Sequence, residues 1–240
     1  MQMLNERIKF DDILKIKPVL AERNEDIRAV KQRTGCDIII NAGSYNMQTR
    51  ELDTGLKIDG KVLKSGHYGF GIKGNRLEWS YAGTWHNDWF EQFGLRDNSK
   101  RGRTGVGITK DELVLVAIAD TDKLRKCSVD YFLKTYFKGC THAINLDGGG
   151  STQWIAPSGS FRSGRNVVWY LCIWLKPKQT HRRTVTAKTG LRVRATPSIL
   201  GKRIGLLKLG TVVTVTKTSK GWAKINHNGL VGWCSEVYLK

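Results

Sequence analysis

Residues 142–152 read His-Ala-Ile-Asn-Leu-Asp-Gly-Gly-Gly-Ser-Thr. His142 to Leu146 has the length and apolar content of a short strand, and it runs directly into Asp147-Gly148-Gly149-Gly150-Ser151. A carboxylate at a strand end, followed by three glycines and two hydroxyls, lets backbone N–H groups turn inward and approach an anion closely. Asp147 meanwhile stays aimed at the same place. That combination suits a phosphate beside an acid or base, although the segment alone also fits a glycine-rich bend capped by Asp147.

Working outward, Ser128 to Phe137 has helical spacing, with Val129, Phe132, Leu133, Tyr136 and Phe137 on one face and Lys138-Gly139 as its end. Val167 to Leu175 is a fully apolar run suited to the middle of a buried sheet. Short β-like runs alternate with glycine turns from Cys36 to Ile118. Asp11 to Arg33 carries apolar residues at three and four spacings and reads as two short helices interrupted near Pro18. Residues 1–175 are therefore expected to form one α+β domain, a mixed sheet with helices.

Lys176 to Thr184 holds no apolar residue except Pro177, so 176–184 reads as a linker. Beyond it, residues 185–240 are short β-runs broken by Pro197-Ser198, Gly210, Lys220-Gly221, Asn228-Gly229 and Gly232, the pattern of a small all-β barrel. The charge is uneven. Of a formal +19, the segment from His181 to Lys240 holds +11, twelve Lys plus Arg against the single acid Glu236. The tail is the electropositive part, and its partner is a polyanion: nucleic acid, an anionic membrane or a wall polymer.

Met1 to Phe10 lacks the apolar run of a secretory signal, and no segment reaches the length of a spanning helix, so synthesis in the cytoplasm without membrane insertion is expected. The five cysteines include no Cys-x-x-Cys pair and read as small buried thiols. No histidine lies at ligand spacing from a cysteine pair, so neither a metal nor another cofactor is expected. Asp120 and Asp122 are the residues that suit a hard cation if one binds.

Two further clusters complement the Asp147 segment. Lys100-Arg101-Gly102-Arg103-Thr104-Gly105 runs into an apolar strand, where an arginine fork and a threonine suit phosphodiester oxygens. Asn41-Ala42-Gly43-Ser44-Tyr45-Asn46 sets amides, a hydroxyl and an aromatic ring after another strand, which suits a sugar. Together with Arg165-Asn166-Val167, these motifs resemble the phosphodiester glycosidase family, to which the lysosomal uncovering enzyme belongs, over residues 36–175. Asn145-Leu146-Asp147-Gly148-Gly149-Gly150-Ser151 is the specific part of the match. The chain departs from many relatives where Ala119-Asp120-Thr121-Asp122 replaces an Asp-Gly-Arg, and Thr152 replaces a second serine.

The resemblance implies hydrolysis of a sugar-1-phosphate diester at the anomeric carbon. A phosphate monoester leaves easily, so such a site needs charge stabilisation more than general-acid help. Asp147 and Arg103 are the expected catalytic residues. Asn41, Tyr45, Thr104, Asn145, Gly148, Gly149, Gly150, Ser151 and Arg165 are expected to hold substrate.

The tail, with Thr189-Gly190-Leu191-Arg192-Val193-Arg194, Gly221-Trp222 and Gly232-Trp233, resembles the bacterial SH3 family, which implies a cell-wall targeting module. An anionic wall or capsular polymer is the expected partner, and nucleic acid is disfavoured because aromatic-rich RNA-binding signatures are missing. The expected setting is a phage lysin released to the wall, or a wall-remodelling enzyme. A non-catalytic wall-binding or virion structural protein is the alternative.

Overall fold

The computed structural model describes residues 3–23, 25–82, 85–91, 98–177 and 180–240. The chain divides into two compact units, Met1–Lys176 and Pro177–Lys240. The larger is mostly β, with two eight-residue α-helices among the described residues, Ile27–Thr34 and Val129–Tyr136.

Among the described residues, three antiparallel sheets build it. The first orders Met3–Lys9, Glu112–Ile118, Arg103–Ile108 and His142–Asn145; the second orders Gly159–Phe161, Trp154–Ala156, Ile38–Asn41, Trp169–Leu175 and Ile13–Leu20. The third orders Lys61–Lys64, Leu56–Ile58, Asp88–Glu91, Tyr68–Lys73 and Arg76–Tyr81. Every strand pairing among the described residues is antiparallel, so the expected mixed sheet is not what forms.

The period of two explains why the central strands are apolar throughout. In Glu112–Ile118, Leu113, Leu115 and Ala117 enter a core shared by all three sheets, while Val114, Val116 and Ile118 meet Phe132 and Phe137 beneath the second helix. In Trp169–Leu175, Trp169, Leu171 and Ile173 enter the same core, while Tyr170 and Cys172 pack with Ile27 and Val30 of the first helix. Each helix thus seals the outer face of one sheet. Ser128 caps the second helix by accepting from Tyr131 N, and Asp26 caps the first through Arg28 N and Ala29 N.

Ile13–Leu20 is a strand, not the first of two helices. Its register against Trp169–Leu175 slips between Trp174 and Leu175, which skips Leu14 and turns Ile13 and Ile16 to the same buried side. A bulge thereby produces the three-residue spacing that imitates a helix. Pro18 is tolerated because this strand is at the sheet edge.

In the smaller unit the strands run in the order His181–Thr184, Val212–Ser219, Trp222–His227, Leu230–Ser235, Leu191–Arg194 and Arg203–Leu207. Lys240 and Thr184 exchange backbone hydrogen bonds, bringing the chain end back to the first strand. His181–Thr184, read from sequence as linker, is therefore part of this sheet; Lys178 and Gln179 of that stretch lie outside the described residues. Its core is Val185, Leu191, Val193, Leu207, Val213, Val215, Ala223, Ile225 and Cys234, with Leu239. No helix among the described residues is long and apolar enough to cross a membrane.

Candidate active site

The strand Ile38–Asn41 ends on a buried amide that ties the site together. Asn41 Nδ2 donates to Asp147 O at 2.7 Å, while Asn41 Oδ1 accepts from Thr104 Oγ1 at 2.6 Å and from Gln153 N at 3.0 Å. One side chain thus joins two sheets to both ends of the glycine loop. The loop is pinned further by Asp147 N donating to Ala42 O and Gly149 N donating to Gly102 O, each at 2.8 Å. A Cβ on Gly148 would lie 2.6 Å from Gly102 O, so only glycine allows this approach. Gly149 adopts φ +57°, the left-handed region.

Asp147 is half-buried at the head of this loop. Its Oδ1 accepts from Gly148 N at 2.8 Å, and Ser151 supplies a side-chain hydrogen bond. Burial raises the carboxyl pKa above its ordinary value. The bonds from Ser151 and Gly148 N and the charge of Arg165 oppose that rise, and the charge of Asp53 adds to it. Arg165 is exposed, and its guanidinium lies over Gly150, where a Cβ would meet Nε and Cζ at 2.8 Å. Tyr45 Oη donates to Asn166 O at 3.0 Å, and burial followed by the Asp147 charge raises the Tyr45 phenol pKa.

The structure brings Asn41, Tyr45, Asp147, Gly148, Gly149, Gly150, Ser151 and Arg165 into one cluster, but with divided labour. Asn41 and Thr104 spend their polar atoms on each other and on the loop. Asn145 is buried and donates through Nδ2 to Leu146 O at 2.7 Å. Arg103 and Thr104 are neighbours on one strand and point to opposite faces, so they do not clamp one ligand from the same side. Arg103, 1% exposed, donates from Nε to Cys127 O at 2.9 Å and from Nη2 to Ser99 O at 2.6 Å. Its Nη1 lies 3.7 Å from where a Gly148 Cβ would sit, so its charge is set beneath the loop.

Sequence reading missed Asp53, a second carboxylate felt by Asp147. Ser44 Oγ donates to Asp53 Oδ2 at 3.1 Å, and Tyr45 bridges to Leu52. The turn between them is visible in sequence as Asn46, whose Oδ1 accepts from Gln48 N and Thr49 N. Gln153 also went unnoticed; it links Asn41 to Arg165 O through Nε2 at 2.7 Å. Asp120 and Asp122 are each occupied by a cation, Lys126 at 3.2 Å and Arg125 at 3.0 Å, which does not suit them to hold a metal ion together.

A carboxylate held by the Gly148 amide and Ser151 at a glycine loop, with one arginine above the loop and another below, thus sits on an antiparallel β-scaffold. The family profile of phosphodiester glycosidases matches residues 34–187, and the chain belongs to that family; a bacterial SH3 domain matches residues 189–240. Among solved structures, the fold is similar to the zebrafish N-acetylglucosamine-1-phosphodiester alpha-N-acetylglucosaminidase catalytic domain auto-inhibited by its pro-peptide. The TM-score is 0.52 at 15% identity, covering 73% of this chain and 89% of that one. A hypothetical protein from Synechocystis is also similar, with TM-score 0.55 at 9% identity, covering 72% of this chain and 59% of that one. No curated protein matches the sequence.

Proposed function

We propose that the chain hydrolyses a sugar-1-phosphate diester on its glycosidic side, within an anionic bacterial surface polymer such as a teichoic acid or a glycosyl-phosphate capsule. The basic barrel unit holds the enzyme on that polymer. Water adds to the anomeric carbon, the bond from that carbon to the phosphate oxygen breaks, and the phosphate monoester leaves. Asp147 is the carboxylate that activates the water or stabilises the oxocarbenium ion. Arg165, set over the glycine loop, receives the phosphate, and Arg103 adds fixed positive charge beneath the loop. Asn41 and Thr104 are positioning residues that fix the loop. A phage lysin or a wall-remodelling enzyme is the setting that combines this chemistry with a wall-binding module.

The observation that carries this reading is the Asp147 carboxylate, fixed by Gly148 N and Ser151 with Arg165 set over Gly150. Release of free sugar from a panel of sugar-1-phosphate diesters tests it. The parent protein releases sugar, and Asp147→Asn lowers the rate by about 10²–10⁴-fold. Equal rates from both proteins refute the role of Asp147. No release from either, with wall binding intact, favours a non-catalytic wall-binding protein.

A further inference from the structure

The barrel unit carries an open groove of about 390 Å³ that the active site does not use. Lys188, Arg192, Arg194, Ile199, Trp222 and Tyr238 line it. The strand Leu191–Arg194 buries Leu191 and Val193, so Arg192 and Arg194 face outward together. Two residues apart on one face, they stand roughly 6.5 Å apart along the strand. Arg194 Nη1 donates to Gly201 O at 2.8 Å, which steadies its guanidinium, while Arg192 and Lys188 are exposed. The only acid between His181 and Lys240, Glu236, is bonded to Arg183 at 3.2 Å, so the groove cations have no carboxylate of their own strand set to neutralise them.

The walls add apolar contact. Ile199 is 75% exposed and Tyr238 47% exposed, so both can lay apolar surface against a bound chain. We infer that this groove is a binding site for a polyol-phosphate chain, with Lys188 and Arg192 on successive phosphates and the polyol carbons lying against Tyr238 and Ile199. The inference rests on the proposed function, which places the enzyme on such a polymer, and it names the residues that hold it there. Arginine suits phosphate because its planar fork gives paired donors. A nucleic acid fits less well. Of the three aromatic residues in this unit, Trp222, Trp233 and Tyr238, only Tyr238 is exposed, whereas single-stranded nucleic acid binds on several successive stacking rings.

The test is binding of the full-length protein to a fluorescent glycerol-phosphate hexamer. Two double variants of equal charge change are compared: Lys188→Ser with Arg192→Ser in the groove, and Lys217→Ser with Lys220→Ser, exposed elsewhere on the barrel. The groove variant is expected to bind at least tenfold more weakly. The slope of log K against log salt is expected to shrink by about 1.4, if each lost phosphate contact counts as it does on a single-stranded polyanion. The Lys217/Lys220 variant stays within about twofold of the parent, and Tyr238→Ser loses about threefold or more. Equal weakening in both double variants, or no binding by the parent, overturns the groove. So does tighter binding of a thymidine dodecamer, or of polyglutamate, with the same dependence on Lys188 and Arg192. Sugar release from a small diester reads the other unit alone, so a parent protein that releases sugar but does not bind the hexamer overturns the groove and leaves the glycosidase reading standing.

Discussion

Gly148→Ala offers the sharpest test of how the active-site loop is held. The added methyl lies 2.6 Å from Gly102 O, a backbone atom that cannot swing aside as a side chain can. To relieve that contact the loop must lift, and lifting it stretches the 2.8 Å bond from Gly149 N to the same carbonyl. Overpacking of this kind costs about 1–3 kcal/mol and the weakened bond about 1 kcal/mol more. A total near 3 kcal/mol lowers the Tm of a unit of this size by about 6–12 °C. Calorimetry on the full chain measures it, with the barrel unit's own transition as an internal control if the two units unfold separately. Activity falls with stability because Asp147 rides on the displaced loop. Gly150→Ala is the partner variant: its methyl meets the guanidinium end of the exposed Arg165 side chain, which can turn aside, so Tm changes little while KM rises. Should Gly148→Ala melt within about 1 °C of the parent and keep its kcat, the close approach of loop to Gly102 is refuted.

Asn41→Ala deletes three hydrogen bonds in a buried place and is expected to cost about 3 kcal/mol, with kcat falling more than KM changes; urea unfolding and steady-state kinetics read the two effects. The acid limb of the pH–rate profile should lie above the ordinary carboxylate range, because burial raises the pKa of Asp147, the group that must be ionised. Arg165→Gln moves that limb upward and Asp53→Asn moves it downward; unchanged limbs in both refute the assigned electrostatics. The native state binds the Asp147 proton more tightly than the unfolded chain does. Stability from this group is therefore lost as pH rises from the ordinary carboxylate value through the raised native one, and Asp147→Asn should melt higher than the parent at pH 7 while losing activity. Ser128→Ala removes the cap of the Val129–Tyr136 helix and should cost about 1 kcal/mol without altering KM, as thermal unfolding and kinetics will show.

What could be read from sequence followed the range of the interactions. The Ser128–Phe137 helix was legible because its cap and apolar face are local, and Trp169–Leu175 because a run buried on both faces needs no partner to be recognised. Ile13–Leu20 was not, since a bulge set by its neighbour strand gave it helical spacing. The composition of the Asp147 loop announced close backbone approach. The depth of Arg103 was hidden, because strand alternation sends it toward the second helix while Thr104 turns to Asn41. Asp53 was hidden too, as its nearness to Asp147 arises only once the turn after Tyr45 folds back.

The proline that obscured Ile13–Leu20 protects the protein. Trp169–Leu175 reads Trp-Tyr-Leu-Cys-Ile-Trp-Leu, an uncharged, proline-free stretch of the kind that seeds cross-β assembly when exposed. The strand laid along it carries the exposed Lys15 and the proline Pro18 at the sheet margin, with Lys17 paired to Asp59, so a charge and a residue without an N–H stand where another chain would have to add. The margin strand thus acts as a gatekeeper for an aggregation-prone segment of the fold, and Pro18→Val with Lys15→Val is expected to turn the protein toward fibre formation.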